Sequence, residues 1–179
     1  MSATKAPGTR VLGIDPGTIQ MGYGLVEDGE QVVAVDWGAI ALPRSMPMEE
    51  RLYQLYTHVV NMIGTWQPDA IAVEEPFLGK GENQFVSSAL AVGQAQALVL
   101  IAAAGHGVPI SRYSPAQVKR AIADYGAATK GQVQEMVKMV LGLEEVPSPS
   151  DAADALAIAL CHLRQRQLAD VLEREVSPG

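Results

Sequence analysis

Two aspartates three residues apart open the last apolar segment of the chain, Ser148-Pro149-Ser150-Asp151-Ala152-Ala153-Asp154-Ala155-Leu156-Ala157-Ile158-Ala159-Leu160. On a helix that spacing sets Asp151 and Asp154 on one face, with Cβ atoms about 5–6 Å apart. Like charges roughly 4 Å apart repel by about 4 kcal/mol at an effective dielectric near 20, unless a proton or a cation stands between them. A metal ion accounts for the pair. A helix start accounts for part of it: Ser148 suits the cap, Pro149 the first helical position, and Asp151 completes a capping box that also complements the macrodipole. Asp151 alone fits either account. Asp154 lies beyond the capped turn among apolar neighbours, and capping does not explain it.

Further acids end apolar strands. Asp15 follows Val11-Leu12-Gly13-Ile14, and Glu74 follows Ile71-Ala72-Val73, positions where an unpaired carboxylate is costly to bury. Taken singly, Asp15 is equally a turn residue before Pro16-Gly17 and Glu74 a solvated loop acid. Taken together, four acids at two strand ends and one helix start are best explained by convergence on a divalent ion. Hard oxygen ligands suit magnesium or manganese, and no His or Cys has zinc spacing. Two such ions match four carboxylates in charge. That arrangement serves in-line attack of water on a phosphodiester, one ion activating the water and the other stabilising the leaving oxygen.

The elements that would carry these acids follow from the apolar pattern. Arg10 to Ile14, Met21 to Val26 and Gln31 to Leu42 read as three antiparallel strands, the last two joined by a hairpin at Asp28-Gly29. Between Met48 and Gly64, Leu52, Leu55, Tyr56, Val59 and Ile63 recur at helical spacing. Pro68 ends that helix, and Ala70 to Glu74 forms a fourth strand. A loop rich in breakers (Pro76, Gly79, Gly81) leads to a helix from about Ser87 to Ala104. That helix is apolar nearly all round, so it is either wholly internal or partly covered by a second copy of the chain. Val108 to Tyr113 gives a fifth strand. Capping boxes at Ser114–Gln117 and Thr129–Gln132 start two more helices, the second buried along Val133, Met136, Val137, Val140 and Leu141. The fold class is therefore α/β, a mixed five-stranded sheet with three antiparallel strands followed by parallel ones, flanked by helices. Residues 1–9 read as a flexible tail, 10–165 as the domain, and 166–179 as a charged C-terminal tail.

At 179 residues the chain is one domain with room for a proper core. It has no apolar run of about 18 residues and no secretory pattern, so a cytoplasmic location without membrane contact is expected. The single Cys161, inside an apolar helix, reads as a core thiol. His58, His106 and His162 show no partner pattern and read as structural. The net charge of −7 excludes indiscriminate nucleic-acid binding, yet it divides as −5 over residues 1–74, +2 over 75–140 and −4 over 141–179. A polyanion would be gripped in the middle third.

Several segments together resemble a known family. They are Leu12-Gly13-Ile14-Asp15-Pro16-Gly17 with Gly22-Tyr23-Gly24; Pro68-Asp69 leading to Ala72-Val73-Glu74; Phe77; and Gly93-Gln94-Ala95. Further on come Tyr113 with Pro115, Val118-Lys119, Gly126, Lys130, Gln132-Val133, and the run Asp151 to Ala157. In that order, over residues 11 to 162, they resemble RuvC-type Holliday-junction resolvases of the RNase H-like superfamily. The resemblance implies that Asp15, Glu74, Asp151 and Asp154 are catalytic and bind two Mg²⁺ ions, for which Mn²⁺ substitutes. It implies a homodimer that nicks two opposed strands of a four-way DNA junction, leaving 5′-phosphate and 3′-hydroxyl ends, and that works with the RuvA and RuvB branch-migration machinery. It assigns Lys119 and Lys130 to phosphate contact and Phe77 to stacking on an unpaired base. The chain departs from the pattern in a longer loop between Phe77 and Gly93 and in Gln96, where an Arg is common.

Three other readings compete with this one. A YqgF-like nuclease of the same fold acting on another nucleic acid shares the paired aspartates, though Phe77, Lys119 and Lys130 favour the junction. An actin-like phosphotransferase needs a second phosphate loop and a second domain. A non-catalytic junction binder has no use for four converging acids.

Overall fold

The computed structural model describes residues 8–75, 83–123 and 126–176. Strands β1 (Thr9–Asp15), β2 (Gln20–Asp28) and β3 (Val32–Ala41) form an antiparallel meander, and β4 (Ala70–Glu74) and β5 (Ile110–Tyr113) join it in parallel. The sheet order is β3-β2-β1-β4-β5. Helices α1 (Met48–Trp66) and α2 (Asn83–Gly105) cover one face. Helices α3 (Pro115–Ala123), α4 (Lys130–Leu141) and α5 (Ser150–Val176) cover the other. Among the described residues no helix is long and apolar enough to cross a membrane.

The two-residue period of a strand sorts side chains between the two layers. Leu12 and Ile14 of β1 enter the core under α1 and α2, whereas Val11 enters the core under α5. Gly13 and Asp15 are in step with Val11. On β4, Ile71 and Val73 go with Leu12, and Ala72 goes with Val11. Glu74 is in step with Ala72. Both strand-ending acids thus fall on the α5 face, on adjacent parallel strands whose register pairs Ile14 with Val73.

Local signals set most element ends. Gln67 turns left-handed (φ 46°, ψ 58°) and its N–H donates to the Ile63 carbonyl, closing α1 ahead of Pro68. Both expected capping boxes form: the Gln117 N–H donates to Ser114 Oγ at 3.3 Å while the Ser114 N–H donates to Gln117 Oε1 at 2.8 Å. The reciprocal pair at Thr129 and Gln132 measures 3.2 and 2.9 Å.

Five expectations shift. The first strand starts at Thr9, inside the segment read as a tail. The fifth starts at Ile110, not Val108, although the Pro109 carbonyl already accepts from Ile71 N–H at 2.9 Å. Helix α2 begins at Asn83, upstream of Ser87. The last helix begins at Ser150, and its Ala152 N–H donates to the Pro149 carbonyl at 2.9 Å, so Pro149 precedes the helix and Ser148 is not its cap. That helix then continues through the charged segment to Val176, with Gln165 to Arg174 exposed.

Candidate active site

Helix α5 reaches the sheet because three glycines let it. A Cβ on Gly13 would collide with the Ala155 carbonyl oxygen, and one on Gly22 with that of Asp151. On Gly24 it would lie 2.7 Å from the Leu156 side chain. Gly22 is paired with Asp15 across the β1–β2 ladder. Backbone contact at Gly22 therefore seats Asp151 over the end of β1, and Asp154, one turn on, follows toward the end of β4.

The four acids sense one another. Burial first, then the charges of Glu74, Asp154 and Asp151, push the Asp15 carboxyl from an ordinary 3.8 up to about 7, while Lys130 pulls the other way. Glu74 is likewise pushed up by burial and then by Asp154, against Lys130 and Lys119. The carboxylates are tied down individually. Gln20 Nε2 donates to Asp151 Oδ2 at 2.6 Å, and Lys130 Nζ stands 2.6 Å from Asp154 Oδ2. Burial alone would lower the Lys130 ammonium's pKa; the hydrogen bond to Asp154 and the charges of Asp154, Asp15 and Asp151 outweigh it and raise it. Beside the acids opens a cavity of about 260 Å³, edged by Glu74, Asp154, Lys119 and Lys130 over an apolar floor that includes Val118, Val133 and Ile158.

This donor set fits a hard divalent cation: all oxygen, mutually repelling and half-buried, with Lys130 already supplying a positive charge to one member. Among the described residues no three His, Cys, Asp or Glu side chains stand as a ready-made cage. Lys130 on Asp154 and Gln20 on Asp151 instead hold oxygens that a metal would claim.

Of the residues singled out from sequence, Asp15, Glu74, Asp151, Asp154, Lys119 and Lys130 gather at this one place. Phe77 lies outside the described residues. Cys161 is buried and its thiol is pushed up to about 11 by burial, as suits a core position. His162 is buried with Nδ1 2.9 Å from Tyr113 Oη, and His106 Nδ1 lies 2.8 Å from the Ala102 carbonyl. Sequence reasoning missed Gln20. Only the pairing of Asp15 with Gly22 brings the start of β2 beside Asp151.

The family model for the crossover junction endodeoxyribonuclease RuvC matches residues 11–162. This chain belongs to the RuvC family. A RuvC from Chloroflexus aggregans is 54% identical over 154 residues, covering 86% of this chain and 92% of its own. One from Dehalococcoides mccartyi is 45% identical over 166 residues, 92% and 97% of the two chains. The structure of Thermus thermophilus RuvC in complex with a Holliday junction substrate superimposes with a TM-score of 0.78 at 36% identity, covering 89% of this chain and 96% of that one. The yeast mitochondrial resolvase Ydc2, at 18% identity and a TM-score of 0.66, shares the fold. The sheet is thus the RNase H-like one expected, and the chain is a nuclease of the RuvC family. The YqgF-like reading is not favoured.

Proposed function

We propose that this chain resolves four-way DNA junctions by metal-dependent hydrolysis of phosphodiesters. Asp15, Glu74, Asp151 and Asp154 are the residues that hold two divalent ions, magnesium with manganese as substitute. One observation carries this reading: the Asp15 carboxyl is pushed up to about 7 by burial and then by three neighbouring acids, two of which, Glu74 and Asp154, edge a cavity that also presents two lysines. Bound there, the ions would activate a water and offset charge on the leaving 3′ oxygen, giving 5′-phosphate and 3′-hydroxyl ends. Gln20 orients Asp151 by occupying Oδ2. Asp15, whose carboxyl is pushed up by burial and its acidic neighbours, would have to be deprotonated to hold a cation. Lys119 and Lys130 offer positive charge to the phosphates on either side of the cut, Lys130 nearer the scissile group. Phe77 stacks on an unpaired base at the crossover.

The nuclease unit spans residues 10–165 and acts as a homodimer in the cytoplasm with RuvA and RuvB. Two strands of like polarity related by a two-fold axis call for two sites so related. Helix α2 offers the surface: Ala95, Leu98, Val99, Ala102 and Ala103 are buried beneath it, while Leu90 and Ile101 are 63% and 62% exposed on its outside.

The test is incubation with a synthetic four-way junction, a linear duplex and an RNA–DNA hybrid, each with Mg²⁺ or with chelator. Paired, symmetric nicks in the junction with Mg²⁺ alone are expected. Equal cutting of the duplex or the hybrid, or cutting in chelator, would overturn the reading.

A further inference from the structure

We propose that Gln96 is a positioning residue for Glu74, supplying a hydrogen bond that the sheet itself cannot make; this rests on the reading of Glu74 as a catalytic acid. Gln96 is a buried polar side chain, 8% exposed, on a helix whose inward face is otherwise Ala and aliphatic. Its Nε2 donates to the backbone carbonyl of Glu74 at 3.1 Å.

The register explains why that carbonyl needs a donor. The N–H groups of Ile71 and Glu75 reach β5, donating to the Pro109 and Tyr113 carbonyls at 2.9 and 2.8 Å. Alternation along the strand therefore turns the N–H and C=O of Glu74, like those of Ala72, toward β1. Ile14 pairs with Val73, so the next residue pair would be Asp15 with Glu74. In a parallel ladder the donor to the Glu74 carbonyl would then be the N–H of residue 16. Residue 16 is proline, which has none. The β1–β4 ladder stops at Ile14 and Val73 accordingly. A buried carbonyl left without a partner is costly, and Gln96 fills the vacancy from the opposite face of the sheet.

Glu74 is thereby held from both sides. Its carboxyl faces Asp15 and Asp154, its backbone is pinned by α2, and the chain leaves the strand one residue later. The Glu75 N–H holds the chain to β5 on one side; without Gln96 the Glu74 carbonyl on the other side has no donor, the last peptide of β4 can tilt, and the carboxyl loses its aim at the neighbouring acids. Groups that orient a metal-binding side chain typically contribute about 10–100-fold to affinity or activity.

The experiment is a double-mutant cycle between Gln96→Met, which keeps length and removes the donor, and Pro16→Ala, which restores the ladder N–H. Single-turnover junction cleavage, junction binding in chelator and thermal midpoint are measured for each variant. Gln96→Met is expected to slow cleavage by about 10-fold or more with junction affinity in chelator unchanged. In the Pro16→Ala background the same substitution should cost much less, because the backbone donor substitutes for the side chain. Wild-type cleavage by Gln96→Met, or an equal loss in both backgrounds, would overturn the proposal. Glu74→Gln, run alongside, separates the two claims: if it still cuts, the reading of Glu74 fails. If it is inactive while Gln96→Met cuts normally, only the positioning role fails.

Discussion

Asp15 carries the electrostatic strain of the site, and that strain has a measurable pH signature. Its folded-state pKa of about 7 lies above its ordinary 3.8. Between those values the folded protein keeps a proton that the unfolded chain has released, so this group's contribution to stability falls as pH rises from about 4 to about 7 and is level above. Metal-free protein should gain stability, relative to an Asp15→Asn variant, on going from about pH 8 to about pH 5.5. Paired thermal melts at the two pH values measure it, and an Asp15→Asn variant with the same pH slope as wild type would contradict it. Divalent metal should likewise raise the midpoint more at the higher pH, where no proton must be displaced. Lys119 and Lys130 make a different kind of contribution. Their proposed role as phosphate contacts predicts that Lys119→Ala weakens junction binding and reduces the steepness of its salt dependence by about one ion. A titration of affinity against salt reads this directly, and an unchanged slope would remove Lys119 from the interface.

At the scale of elements, what places the acids is the contact between α5 and the glycines of β1 and β2. Gly22→Ala would drive a methyl into the Asp151 carbonyl, and overpacking of this kind costs typically about 1–3 kcal/mol. Denaturant unfolding should show that loss, with metal affinity falling in step because Asp151 is displaced; wild-type stability would contradict it. Ser114→Ala should cost about 1 kcal/mol by removing one half of a capping box. The caps were legible in the sequence because the whole device spans four residues, Ser114 to Gln117 and Thr129 to Gln132. The bounds of β4 were legible because Pro68 and Pro76 bracket an unbroken apolar run. The start of α5 was not, since Ser148, Pro149 and Asp151 satisfy a capping pattern that the chain does not use. Nor was its end: residues 166–174 bury almost nothing and so look like a tail, yet the helix set up by residues 150–163 continues through the segment to Val176. The partnerships of Gln20 with Asp151 and of Gln96 with Glu74 span 131 and 22 residues and depend on register, which no local pattern encodes.

For the whole molecule, the charge distribution and the exposed outer face of α2 are what the proposed dimer on a junction rests on. The basic middle third contains both cavity lysines, so the negative flanks that would repel DNA lie elsewhere in the sequence, and the four acids depend on cations for neutrality. Ile101→Asp on the exposed stripe of α2 should convert dimer to monomer in sedimentation without unfolding the chain, and wild-type protein that stays monomeric throughout the micromolar range would contradict the dimer. The gathering of Asp15, Glu74, Asp151 and Asp154 from separate parts of the chain is the claim on which the rest depends. Its most direct test is Asp154→Asn, which removes one negative charge and one metal oxygen while leaving the shape of α5 intact. Metal-dependent junction cleavage should fall to the level seen in chelator while junction binding is retained; an undiminished cleavage rate would contradict the account.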